Sequence, residues 1–245
     1  MPKPFLSVII PAYDEEQRIK SSLLVMSKFL EKKPYSSEII VVDDGSTDKT
    51  AQIVKQVSVS HKHISLISHD VNQGKGAAVR TGILAAKGKF RLFSDSDLST
   101  PIDHLDTFVS EASNADVIIG SRAIKGADIR VRQKRYRELM GQAFNLFVRL
   151  LVLPGIRDTQ CGFKLFSEKA ARAVFPPQRI KRWSFDVETL YLARKYGFDI
   201  KEVPVTWVND SRSKVNAFHD SSGMLMGLIS IKINDFLGRY SQKRG

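Results

Sequence analysis

The 245-residue chain has a single cysteine, Cys161, so no internal disulfide framework is open to it and a reducing compartment suits it. No stretch supplies the ~18 consecutive uncharged apolar residues that a membrane-spanning helix needs. Met1 to Pro4 lead straight into a strand pattern, without a signal-peptide core. Acidic residues are scarce: 26 Asp and Glu against 38 Lys and Arg leave a net charge of +12 and a pI near 9.8. That balance implies an anionic partner, whether nucleic acid, a lipid headgroup or a phosphorylated substrate. Internal repeats, low-complexity segments and long linkers are also lacking. What remains is 42% hydrophobic with 14 Phe, enough to bury one large domain or a domain with an appendage.

In order, Phe5 to Ile10 is a nearly continuous apolar run, the mark of a strand covered on both faces. A helix follows Pro11, with Ile19, Leu23, Leu24, Met26, Phe29 and Leu30 at helical spacing. Glu38 to Val42 predicts a second strand, Ala51 to Val57 a helix and Ile64 to Ile67 a third strand. The glycine loop Asn72-Gln73-Gly74-Lys75-Gly76 leads a helix through Ala86. Phe90 to Phe93 predicts a fourth strand, Pro101 to Ala112 a helix and Ala115 to Gly120 a fifth strand. This alternation argues a doubly wound α/β fold with a parallel sheet. Further on, a basic helix from about Gln133 to Leu153 is expected, then strands at Gly162 to Phe166 and Ile200 to Trp207 around a helix at Asp186 to Tyr196. An amphipathic helix is expected at Ser222 to Tyr240.

Polar clusters fall at four strand ends: Pro11-Ala12-Tyr13-Asp14-Glu15, Asp43-Asp44-Gly45-Ser46, the Gly74-Lys75-Gly76 loop and Asp95-Ser96-Asp97. Alone, each also reads as a turn or a helix N-cap. The glycine loop departs from the dinucleotide and P-loop patterns. Together they occupy one sheet edge, where open α/β sheets bind ligands. Tyr13 can pack a base, Asp43 can accept its N–H, and Lys75 can approach phosphate. Asp95 and Asp97 call for a cation, and a hard ion such as Mg²⁺ or Mn²⁺ carrying a diphosphate satisfies both.

Val8-Ile9-Ile10-Pro11-Ala12-Tyr13-Asp14-Glu15, Val41-Val42-Asp43-Asp44-Gly45-Ser46-Thr47-Asp48 and Asp95-Ser96-Asp97 resemble the signature of the inverting family 2 glycosyltransferases. Asn72-Gln73-Gly74-Lys75-Gly76-Ala77-Ala78-Val79-Arg80-Thr81-Gly82 and Gly120-Ser121-Arg122 narrow the resemblance. So do Asp158-Thr159-Gln160-Cys161-Gly162-Phe163-Lys164-Leu165-Phe166, Trp183-Ser184-Phe185-Asp186-Val187-Glu188 and Glu202-Val203-Pro204-Val205-Thr206-Trp207 with Ser213-Lys214-Val215. These resemble the dolichyl-phosphate β-glucosyltransferase branch. The likeness runs from about Ser7 to Ile233.

The resemblance implies a GT-A fold: a Rossmann-like, mostly parallel twisted sheet with helices on both faces, plus the C-terminal amphipathic helix. It divides the chain into a catalytic domain at 1–215 and a helix and tail at 216–245, the latter a candidate for membrane docking. It implies metal-dependent, inverting transfer of glucose from UDP-glucose to dolichyl or polyprenyl phosphate. Pro11, Ala12, Tyr13, Glu15, Asp43, Asp44, Lys75, Asp95 and Ser96 would bind the donor, and Asp97 with Asp95 the metal, Mg²⁺ or Mn²⁺. Ser99 stands where related mannosyl enzymes carry a metal-binding glutamine. Arg122 and Arg137, joined by Lys214, would hold the acceptor phosphate, and Asp95, Asp97, Arg122 and Arg137 form the expected catalytic set. An already ionised phosphate nucleophile needs placed cations more than a general base.

Other features take blander readings: His61 and His63 as a surface pair, Cys161 as a packed residue, Asp158 as structural or acceptor-orienting. Trp183 and Trp207 read either as core residues or as anchors at a membrane interface. The basic segment from Arg130 to Arg137 suits anionic headgroups. The expected location is therefore cytoplasmic, peripheral to a membrane. Alternatives keep the fold with another nucleotide sugar such as GDP-mannose or a saccharide acceptor. A basic nucleic-acid-binding protein would explain the charge but leaves the four strand ends unexplained, so no nucleic-acid partner is expected.

Overall fold

Apolar runs with few polar breaks become strands here because both of their faces are covered. The computed structural model describes residues 3–131, 135–208 and 217–241. Leu6–Ala12 (β1), Ser37–Asp43 (β2), Ile64–Ser68 (β3) and Phe90–Ser94 (β4) form a parallel block, with β1 between β2 and β4. Along β1, Ile9 enters the core on one face while Val8 and Ile10 enter the other, and β2 divides the same way. Helices Ile19–Leu30 (α1) and Thr50–Ser60 (α2) fill the Val8 side. Helix α3 spans Lys75–Ala85; further on, a 3-10 turn at Ile102–His104 leads into Leu105–Glu111 (α4), which also lies on the Val8 side. The opposite face is covered by α3 with Arg135–Leu151 (α5), Glu168–Val174 (α6), Phe185–Lys195 (α7) and Ala217–Phe236 (α8). Gly82 lets α3 settle onto β1: a Cβ there would lie 2.4 Å from Ile9 Cγ2.

The sheet is completed by Val117–Ser121 (β5), Phe163–Ser167 (β7) and Ile200–Pro204 (β8), in the order β3-β2-β1-β4-β7-β5-β8. Strand β7 lies antiparallel between β4 and β5, which corrects the expectation of a purely parallel sheet and fits the mostly parallel one. The chain re-enters the sheet after α5 running in the opposite direction and inserts β7 between β4 and β5. The single strand expected at Ile200 to Trp207 divides at Val205. Its first part pairs with β5; its second, Thr206–Val208 (β9), pairs with Asp128–Val131 (β6), a short strand that the basic composition hides.

Helix α8 begins earlier than expected and is apolar on both sides. Leu228 and Ile231 are buried, while Met226, Ile229, Ile233 and Phe236 are exposed beside Lys232. The amphipathic pattern expected there is therefore not a clean division into apolar and polar faces. The helix packs on α5 and α7 and shares their core, and the expected boundary at 215/216 lies outside the described residues.

Parallel register sets the functional edge. Ala12 pairs with Asp43 and Ile9 with Phe93, so Tyr13, Asp44 and Asp95 all leave the sheet at its carboxyl side. The chain beyond α8 is anchored to α7 through Tyr240, whose hydroxyl donates to Glu188 Oε1 at 2.5 Å. Glu188 is fully buried and also accepts the amides of Arg179 and Ile180; burial nevertheless holds its carboxyl above the ordinary value. Replacing Tyr240 by Phe deletes one bond to that carboxylate. Denaturant unfolding should show a loss of about 1.5–3 kcal/mol, and an unchanged midpoint would contradict this anchoring role.

Candidate active site

A cavity of about 780 Å³ opens at the carboxyl edge of β1 and β4. Its walls come from both strand ends, the glycine loop, and helices α5, α7 and α8. Asp95, Ser96 and Asp97 sit at the end of β4, in a turn that takes Leu98 to φ +52°. The turn is held by the Ser99 amide, which donates to Asp97 Oδ1 at 2.9 Å. Burial first, and Asp95 second, hold the Asp97 carboxyl above its ordinary value.

Lys75, the first residue of α3, reaches this turn: its Nζ lies 2.6 Å from Asp95 Oδ1. Burial alone would lower its pKa, but Asp95, Asp186 and Asp97 outweigh that and raise it, so the ammonium stays charged. Asp44 places the loop that carries Lys75. Its carboxylate accepts the amides of Gln73 and Gly74 at 3.0 and 2.7 Å and contacts His69 Nδ1 at 2.7 Å. Gly162 is the counterpart on β7's side. Its carbonyl accepts the Asp95 amide at 3.0 Å, and a Cβ on it would fall 2.0 Å from Asp95 Oδ2.

Arg122, just past β5, supplies a second cationic pole. Its Nε and Nη2 donate to Asp158 Oδ2 and Oδ1 at 2.7 and 3.0 Å, and its backbone amide donates to Oδ2 at 2.9 Å. Burial opposes charge on both partners, yet each overrides it for the other: the guanidinium is held above and the carboxyl below its ordinary value. Glu202 accepts the amides of Arg157 and Asp158, fixing the carboxylate in turn. Trp207 lies under the guanidinium, 5.4 Å from ring centroid to Cζ.

Residues 7–175 match the model of glycosyl transferase family 2. The chain belongs to glycosyl transferase family 2. It is 38% identical to the dolichyl-phosphate β-glucosyltransferase of Dictyostelium discoideum, across 98% of this chain and 77% of that protein. The enzymes of the same name from Saccharomyces cerevisiae and Homo sapiens are 35% and 32% identical, each across 98% of this chain and 78% of the relative. Among solved structures, glucosyl-3-phosphoglycerate synthase from Mycobacterium tuberculosis, in complex with Mn²⁺, UDP-glucose and phosphoglyceric acid, superposes with a TM-score of 0.69. That match covers 93% of this chain and 79% of the other at 21% identity, a likeness of fold. The protein is thus a glycosyltransferase with an α/β, GT-A-like fold, in the dolichyl-phosphate β-glucosyltransferase-like branch.

Of the residues expected to bind donor or metal in this glycosyltransferase, Pro11, Ala12, Tyr13, Glu15, Asp44, Lys75, Asp95, Ser96 and Asp97 all line the cavity. Asp43 does not; it is buried at the end of β2, and its carbonyl accepts the His69 amide. Asp44 lines the wall with its carboxylate already committed to the glycine loop, and Glu15 is clasped by Arg18, whose Nη2 donates at 2.7 Å. Arg122 lines the cavity too. Lys214 lies outside the described residues, and Arg137 is described only as part of the α5 backbone.

Both tryptophans line the cavity, and Asp158 is the buried partner of Arg122. Cys161 is buried, its thiol pushed up to about 11 chiefly by that burial. Sequence reasoning missed Arg18, Gln160, Gly162, Arg182 and Asp186 as lining residues. One signal was available: Lys164 interrupts the apolar run Phe163 to Phe166, and a buried ammonium demands a carboxylate, which is Asp186.

Gly162→Ala should displace Asp95 because the new methyl would occupy its carboxylate's position. Glycosyl transfer should fall at least ~10-fold, as for loss of geometry at a reacting centre, in protein whose circular dichroism is unchanged. Full activity in the folded variant would contradict the placement of Asp95.

Proposed function

We propose that this glycosyltransferase moves glucose from UDP-glucose to the phosphate of a dolichyl or other polyprenyl phosphate, with inversion, at the cytoplasmic face of a membrane. The observation that carries the reading is one cavity combining an acidic turn, a pinned arginine and an apolar wall from α5 and α8. A nucleoside diphosphate sugar and a phosphorylated lipid together need these three surfaces. The names of the relatives aligned across nearly the whole chain support the same acceptor and sugar.

A divalent cation fits the acidic turn. Two carboxylates share the turn, and burial together with Asp95 holds Asp97 above its ordinary value against the weaker pull of Lys75, whose ion pair is with Asp95, so a cation would relieve both. Among the described residues no third His, Cys, Asp or Glu completes a cluster, so Asp97 and Asp95 would hold an ion whose other positions stay open to diphosphate and water. When bound, such an ion supplies charge stabilisation to the departing diphosphate.

The chain's own residues do the rest. Lys75 and the ordered glycine loop hold the diphosphate end, with Tyr13 at the nucleoside end. Asp158 takes two nitrogens of Arg122, while Nη1 has no hydrogen-bond partner among the described residues and is left for the acceptor phosphate. A phosphate monoester has a second pKa of about 6, so its oxygen is largely ionised at neutral pH. That oxygen forms the new bond to the anomeric carbon from the side opposite the diphosphate. The old carbon–oxygen bond breaks, and its electron pair leaves on UDP. No proton has to move, so the site needs no general base.

Docking on a bilayer follows from the outer surface. On α5 and α8, Leu150 and Phe236 are 72% and 91% exposed and Leu146, Phe147, Ile229 and Ile233 are exposed too; Arg149 and Lys232 stand on the same two helices and Arg239 just past α8. No helix among the described residues is long and apolar enough to cross a membrane. These helices therefore suit lying against lipid, with the cations toward anionic headgroups.

Purified protein with Mg²⁺ or Mn²⁺ should convert labelled UDP-glucose and dolichyl phosphate into an organic-extractable product. Chelation or Asp97→Ala should reduce transfer by at least ~100-fold. No lipid product with any metal would overturn the reading.

Acid should weaken metal binding earlier than for an ordinary carboxylate. The folded chain holds the Asp97 proton more tightly than the usual value of 3.8 allows, so the metal must displace it as pH falls. For the metal-free fold the sign is opposite: Asp97's contribution is fully present below the ordinary value and is lost as pH rises through the raised one. Metal titrations across the acid range, read by thermal shift, should show affinity falling from above 3.8, and Asp97→Asn should flatten that dependence. A wild-type profile that turns over only at or below the ordinary value would contradict it.

A further inference from the structure

We infer that Asp186 reads the hydroxyl groups of the transferred sugar and that Lys164 is the residue that positions it. This rests on the proposed nucleotide-sugar donor and adds to it a residue that sets sugar specificity. Asp186 lies in the first turn of α7, is 5% exposed and lines the cavity. One carboxylate oxygen, Oδ1, pairs with the Lys164 ammonium, which is itself buried in β7 and donates to the Cys161 carbonyl at 2.7 Å. The other oxygen, Oδ2, receives no hydrogen bond among the described residues. Asp186 lines the cavity, and that is where a donor to this oxygen can arrive.

Charge decides which part of the substrates that donor belongs to. Asp186 repels a diphosphate and a lipid phosphate alike, so neither belongs beside it. Two uncharged, hydroxyl-bearing portions of a nucleotide sugar remain, the ribose and the hexose. The ribose belongs with the nucleoside end proposed at Tyr13 after β1, whereas Asp186 is held by Lys164 of β7, on the other side of β4, which leaves the hexose. Its place is also consistent along the chain of charges: Lys75 pairs with Asp95 at 2.6 Å and also feels Asp186, so the cation stands between this carboxylate and the acidic turn. Trp183 supplies a flat apolar face in the same cavity, where a pyranose ring can rest. Lys164 cannot swing away, because Phe93 lies 5.5 Å from its ammonium and the side chain is 1% exposed.

The test compares UDP-glucose with UDP-hexose analogues that each lack one hydroxyl, in wild type, Asp186→Asn and Asp186→Glu. UDP affinity is measured in parallel by calorimetry. Wild type should discriminate against at least one analogue by roughly 10-fold or more, the size of a hydrogen bond to a charged group. In Asp186→Asn, kcat/KM for UDP-glucose should fall roughly 10- to 100-fold, the discrimination should shrink to about threefold or less, and UDP affinity should be nearly unchanged. Should the Asn variant not fold, Asp186→Glu keeps the charge for Lys164 while moving the oxygen, and it too should lose the discrimination. Folded variants that keep the wild-type penalty for every analogue would overturn the inference. A wild type that uses no UDP-hexose would instead overturn the functional reading beneath it.

Discussion

Charge taken out of water must be matched, and the cavity of this glycosyltransferase is assembled from such matches. Asp95 faces Lys75, Asp158 grips Arg122, and Asp186 holds Lys164. Each pair ties two separate elements together: the end of β4 to the start of α3, the end of β5 to the approach to β7, and β7 itself to α7. Removing one partner would strand the other, at a cost of about 3–5 kcal/mol for a fully buried pair. The pairs therefore fix the geometry of the site as firmly as the apolar core fixes the sheet. Asp97 is the exception: it has no ion-pair partner among the described residues, and burial with Asp95 outweighs the pull of Lys75 on it, which is why a cation is proposed there.

The strand ends were legible from the sequence because each is local. An apolar run stopped by Pro11, by Asp43-Asp44 or by Asp95 announces both the strand and its functional end, and parallel register then aligns them. The antiparallel insertion of β7 was not legible, because nothing within Phe163 to Ser167 encodes which neighbours it takes. With it were hidden the close approach of Gly162 to Asp95 and the pairing of Lys164 with Asp186. Asp44 shows a different limit. Its residue type and place suited a ligand contact, and it does line the cavity, but its carboxylate also accepts the amides of Gln73 and Gly74 and so holds the glycine loop. Residue type marks a site; only tertiary structure says whether a side chain is free to serve it.

Helix α8 illustrates the same point on the surface. A helix expected to divide into two faces instead exposes Met226, Ile229 and Phe236 while burying Leu228 and Ile231. Met224 and Leu225 also line the cavity, so the proposed membrane face and the proposed reaction site share one helix. An acceptor whose phosphate is charged and whose tail is insoluble in water suits that arrangement. The chemistry proposed needs placed charge at both ends of the new bond and no proton transfer.

On the proposed function, the cavity has two independent anion poles, a metal-assisted one at Asp97 and a direct one at Arg122. Calorimetric titration of UDP with Mn²⁺, and separately of a water-soluble short-chain prenyl phosphate, into Asp97→Asn and Arg122→Lys tests it most directly. The first variant should lose metal-dependent UDP binding and keep the prenyl phosphate, and the second should do the reverse. Loss of both ligands in either variant, or the opposite assignment, would contradict it.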